Sequence, residues 1–142
     1  MADLKFFLKS NKKVKENVKY VATKSLTDAD GNPLEWEVRA ITTEENEKIQ
    51  EKCMKEVPIT GKPNQYRTKL DTTKYMNMFI ASSVVYPPLD DAELQNSYGV
   101  LTPEDLIKKM IDNPVEYDAF GQFVQNLVSK VDINEKIEEA KN

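Results

Sequence analysis

Histidine is absent from the 142 residues, which removes the imidazole base that a serine or cysteine nucleophile relies on and the usual ligand of zinc and iron sites. Cysteine occurs once, as Cys53. Neither an intramolecular disulfide nor a cysteine metal cluster can form, and a reducing compartment fits best. The four glycines, Gly31, Gly61, Gly99 and Gly121, stand apart from one another, so no glycine-rich loop can cradle a phosphate or a dinucleotide. Long apolar runs are missing too. The opening residues hold only Leu4, Phe6, Phe7 and Leu8, too few for a signal-peptide core or a membrane span. The expectation is a protein of the cytoplasm with no membrane partner, no small-molecule substrate, no metal and no cofactor.

Enough remains to fold. Apolar residues make up 39% of the chain and charged residues 31%, a balance that suits one compact domain over 1–142 and argues against disorder. The net charge of −4 is unevenly spread: Met1–Lys24 holds seven lysines against Asp3 and Glu16, a net of +5, which leaves −9 for the rest. A nucleic-acid interface would place such charge on a groove-entering element with arginine in it. Here the arm is all lysine on an expected strand or loop, so no nucleic-acid partner is expected.

The pattern along the chain divides it into a basic N-terminal segment (1–16), a β-hairpin (17–41), a helical body (42–131) and a charged tail (132–142). Leu4 and Phe6–Leu8 suggest a short opening helix or an apolar plug. Val18, Tyr20 and Ala22 alternate on one strand and Leu34, Trp36 and Val38 on the next, with the turn formers Thr27–Pro33 between them. Asp28, Asp30 and Asn32 copy the first ligands of a calcium loop. Pro33 then stands where that loop needs glycine, and Arg39 where it needs an acid, so a hairpin turn is the better reading. Trp36 reads as the anchor of this hairpin against the helices.

Thr42 with Glu45 forms a capping box, followed by Ile49, Cys53 and Val57 on one face, which predicts a helix over 43–56. Pro58, Gly61 and Pro63 predict a loop. A second helix opens at Asp71 and carries Met76, Met78, Phe79, Ile80, Ala81, Val84, Val85 and Tyr86, apolar nearly all round, until Pro87-Pro88. Two short helices follow, one from Asp91 to a left-handed cap at Gly99, the other from Thr102-Pro103. The last helix shows Phe120, Phe123, Val124, Leu127, Val128 and Val131 at i, i+3, i+4, i+7, i+8 and i+11, a continuous stripe. The fold class is α+β and predominantly helical: an N-terminal β-hairpin packed against a small bundle of about five helices.

Carboxylates alone could in principle serve as acids or metal ligands. The pairs Glu44-Glu45 and Asp90-Asp91 instead fall at helix starts, where they complement orphan N–H groups and the helix dipole. Met54, Met76, Met78 and Met110 lie among Phe and Ile at helical spacing and read as core. No enzyme is expected.

Three stretches carry a resemblance: Leu34-Glu35-Trp36-Glu37-Val38-Arg39-Ala40-Ile41, Leu94-Gln95-Asn96-Ser97-Tyr98-Gly99-Val100, and Glu116-Tyr117 at the start of the long helix. In this order they resemble the XkdN-like phage tail assembly chaperones. One departure is Asn113-Pro114-Val115, where the family suggests a Pro-Gly turn. The resemblance implies a non-catalytic protein that binds the tape measure protein, keeps it soluble, helps recruit tail tube protein and is absent from the mature virion. The alternative is another tail structural or completion protein that stays in the particle. Self-association is left open. The expected partner-binding surface is Tyr86, Pro88, Leu94, Tyr98 and Val100, where apolar residues gather around short helices and a proline break.

Overall fold

The structure, a computed structural model, describes residues 2–129. Val131 and the expected charged tail lie outside the described residues.

Two short 3-10 turns, Leu4–Phe7 and Lys9–Asn11, open the chain. They are followed by β1 (Val18–Tyr20), β2 (Trp36–Val38), α1 (Thr43–Lys52), β3 (Met54–Pro58), β4 (Tyr66–Leu70) and α2 (Thr72–Ser82). Then come β5 (Val84–Tyr86), α3 (Ala92–Tyr98), α4 (Pro103–Met110) and α5 (Pro114–Ser129). The α+β, mostly helical architecture with N-terminal strands agrees with the sequence reading.

The helix starts follow the local chemistry. Thr42 accepts from the Glu45 amide while the Glu45 carboxylate accepts from the Thr42 amide, closing the capping box on α1. Asp71, Asp91 and Thr102 cap α2, α3 and α4 by accepting from the amides of Lys74, Leu94 and Asp105, and Gly99 ends α3 at φ +70°, a backbone region that suits glycine. At the departure from the family pattern, Asn113 Oδ1 accepts from the amides of Val115 (2.9 Å) and Glu116 (3.2 Å), so α5 is capped by asparagine without a glycine turn.

Three expectations are corrected. Val84, Val85 and Tyr86 do not continue α2: they form β5, which pairs antiparallel with β2 (Glu37↔Tyr86, Val38↔Val84) and completes a sheet of order β1-β2-β5. β-branched residues favour a strand, and the free edge of β2 supplies the backbone partners that a helical continuation could not. The region after α1 also differs. The helix ends at Lys52 with buried Cys53 as its C-cap, and Val57 lies on a strand. Residues 54–70, read as helix end and loop, form a β3–β4 ribbon in the register Met54↔Leu70 to Pro58↔Tyr66. Its turn uses Gly61 at φ +78° and Asn64 at φ +61°. Finally, β1 and β2 pair as expected (Val18↔Val38, Tyr20↔Trp36), but as strands shorter than the alternating stretches, joined by a long connection with its own Thr27↔Pro33 bridge. In that connection Asp28 Oδ1 accepts from the amides of Asp30 and Asn32, the work of a turn residue.

The core lies where the sheet meets α2, α4 and α5. Trp36, Val38, Ile80, Leu106, Ile107, Phe120 and Val124 are all buried there. Tyr20 stacks on Phe120 (5.5 Å) and on Phe123 (4.1 Å), while Trp36 meets Phe120 edge-on at 6.0 Å. Gly121 has a packing reason for its place in α5: a Cβ there would come within 3.1 Å of Ile80 Cδ1, so its absence lets α2 and α5 approach closely.

One polar cluster bears on acid stability. Arg39, beside β2, donates through both guanidinium ends to Glu45 in the first turn of α1. The Arg39 hydrogen bonds, aided by the Thr42 amide, hold the Glu45 carboxyl down to about 2 from an ordinary 4.5. A depressed carboxyl stabilises the fold above its unfolded value and loses that contribution as pH falls through the folded one. We therefore expect the pair's contribution to be complete above pH 4.5 and to fade toward pH 2. Glu45→Gln should flatten that part of a stability-versus-pH curve, and an unchanged slope would remove the pair from the account.

Candidate partner-binding surface

The structure spreads the five residues expected to bind a partner over two environments. Tyr86, at the end of β5, is 63% exposed, and Pro88 is exposed just after it. Leu94 and Tyr98 on α3, with Val100 beyond the Gly99 cap, are half-buried and pack against the core. Gln95 adds a hydrogen bond from its side-chain amide to the carbonyl of buried Leu89 (2.8 Å), tying α3 to the segment before it. The apolar density of this stretch is thus partly spent on seating α3, and its free portion is Tyr86 with Pro88.

A denser exposed apolar group lies at the N-terminus. Leu4, Phe6, Phe7 and Leu8 are 75%, 63%, 74% and 52% exposed, and none belongs to the buried core. Their conformation is locally held: Asp3 accepts from the Lys5 amide, and Asn11 donates from its side chain to the Lys5 carbonyl. Lys5 sits over the Phe6 ring at 5.2 Å. The segment is fastened to the body further along. Lys15 Nζ donates to the carbonyls of Val128 (3.1 Å) and Leu127 (3.4 Å), near the end of α5, where a cation complements the helix dipole. From the sequence these residues read as a short opening helix or an apolar plug, and a 3-10 turn over Leu4–Phe7 is what forms. The available signal was four large apolar residues in five positions with no periodic partner.

The β3–β4 ribbon presents a cationic face. Lys55 stands directly opposite Lys69, and Arg67, opposite Val57, shares that face. Like charges facing across strands weaken a ribbon. The repulsion is relieved at the base of the ribbon, where Lys55 approaches Asp71 at 4.0 Å.

Depressions in the described surface are open. One of about 590 Å³ is lined by Lys24, Ser25, Asp112, Asn113, Val115 and Glu116. Its carboxylate Glu116 is already engaged, accepting from the Lys24 amide (2.9 Å) and the Thr23 hydroxyl (2.8 Å). The first of these bonds, then the second, lowers the Glu116 pKa from the ordinary value, and together they strap the exit of β1 to the start of α5. Among the described residues no group of histidine, cysteine, aspartate or glutamate could hold a metal ion, and no helix is long and apolar enough to cross a membrane.

Among the described residues the chain is a small α+β body that carries an exposed apolar group at its N-terminus. The chain belongs to the phage XkdN-like tail assembly chaperone family, whose description matches residues 4–141. It is similar to the phage-like element PBSX protein XkdN of Bacillus subtilis, with 24% identity over 143 aligned positions that cover 99% of this chain and 94% of that one. It is also similar to the B. subtilis protein YqbN, with 24% identity over 115 positions covering 81% and 76% of the two chains. The crystal structure of YqbN superimposes with a TM-score of 0.75 at 21% identity, over 92% of this chain and 99% of that one, a likeness of fold.

Proposed function

We propose that this chain binds the tape measure protein of its own phage or prophage during tail assembly, keeps it soluble and helps gather tube subunits around it. The observation that carries the reading is the family match across nearly the whole length of the chain. The physical chemistry supports it. A long protein rich in apolar helix aggregates unless those faces are covered, and a small partner of net charge −4 can cover apolar stretches while adding charge that opposes clumping. Its place of action is the host cytoplasm, and it leaves the tail before the particle is complete.

The test pairs two measurements. Affinity purification of the tagged chain from infected or induced cells should bring down the tape measure protein, and mass spectrometry of purified particles should find none of this chain. A chain present in mature particles at the copy number of a tail component would instead make it a structural or completion protein.

A further inference from the structure

We infer that the N-terminal arm, with Leu4, Phe6, Phe7 and Leu8 as anchors and its lysines around them, is the element that grips the partner, and that the gripped segment is an acidic amphipathic helix. The inference rests on the proposed chaperone function and deepens it by naming the gripping residues and the chemistry they fit.

Two rings and two leucines, each more than half exposed, sit within five consecutive positions. Scattered exposed apolar residues such as Leu101 and Val115 are ordinary on a soluble protein, whereas a contiguous group of this size marks a contact surface. Aromatic side chains suit the role of anchors because they cover much area with few rotatable bonds. The arm is positioned without being covered: the Asp3 cap on its first 3-10 turn and the Asn11 bond to the Lys5 carbonyl hold its shape, and Lys15 fixes its far end to the α5 carbonyls.

Charge selects the occupant. Met1–Lys24 carries +5, and among the described residues none of its lysines forms an ion pair. Lysines flanking an apolar cluster complement carboxylates flanking an apolar helix stripe, which both attracts such a segment and fixes its register. An anionic lipid surface fits less well, because it would repel the −9 carried by the remainder of the chain.

The experiment compares wild-type protein with two full-length variants, Phe6→Ser with Phe7→Ser, and Lys5→Glu with Lys9→Glu and Lys12→Glu. Each is measured for binding to purified tape measure protein, for flotation with anionic vesicles, for melting temperature and for sedimentation. Because the arm stands outside the core, melting temperatures should match wild type. The serine variant should weaken binding about thirtyfold or more, as expected for paired aromatic anchors. The glutamate variant should weaken it most at low salt. Wild-type protein that fails to bind overturns the chaperone reading and this inference together. Wild-type binding matched by the serine variant overturns the inference alone. So does a lowered melting temperature, which would mean the arm packs on its own chain. A variant that retains tape measure binding yet sediments as a smaller species, or loses only flotation with anionic vesicles, assigns the arm to a second copy or to a membrane and overturns it too.

Discussion

Replacing Trp36 by alanine should lower the unfolding free energy by about 3–5 kcal/mol. The residue sits on β2, the central strand of the β1-β2-β5 sheet, with its side chain 2% exposed. Its ring faces Phe120 of α5 edge-on, so it joins the sheet to the longest helix. Truncation would remove a large apolar surface from a close-packed interior and leave a cavity that neighbours can fill only by moving both layers. Domains of this size have about 5–15 kcal/mol to lose, so the variant should approach unfolding at moderate temperature. Urea denaturation followed by circular dichroism measures it. A loss below about 1 kcal/mol would show that β2 does not lie at the centre of the core.

Phe120→Ala should cost a similar amount, again about 3–5 kcal/mol, for a different reason. Phe120 is fully buried and touches two strands at once, stacking with Tyr20 of β1 at 5.5 Å and meeting Trp36 of β2 at 6.0 Å. The two substitutions share one contact, so their effects should not add. The double variant should lose less than the sum by about 0.5–1.5 kcal/mol, the coupling typical of an aromatic pair. Additive losses would place the two rings in separate parts of the core. Both variants also bear on partner binding only through stability, which separates them from substitutions in the exposed arm.

Legibility in the sequence followed the range of the interactions. Thr42 with Glu45, Asp71, Asp91, Thr102 and Gly99 act within one helical turn, and each appears in the role its local pattern announces. The stripe from Phe120 to Val128 spans the long helix and faces inward as its spacing requires. β5 was not legible, because Val84-Val85-Tyr86 prolongs an apolar run and short apolar runs do not distinguish helix from strand. What decides it is the open edge of β2, a partner dozens of residues away. The β3–β4 ribbon was hidden by Pro58 and Pro63, which read as loop; Pro58 instead stands at the end of a two-stranded ribbon, where its missing N–H breaks no pairing. For the surface, apolar density pointed to Tyr86, Pro88, Leu94, Tyr98 and Val100 together. Density does not reveal which side of α3 is spent on the core. Leu4 to Leu8 is a short apolar group that reads as an opening helix or a plug, and only the fold shows how much of it lies outside the buried core.

The most direct measurement is co-expression of this chain with the tape measure protein of the same phage, comparing the soluble fraction of that protein with and without it. The account predicts that the tape measure protein moves from the pellet to the supernatant and co-purifies with the chain. Equal solubility in both cultures, with no complex recovered, would contradict it.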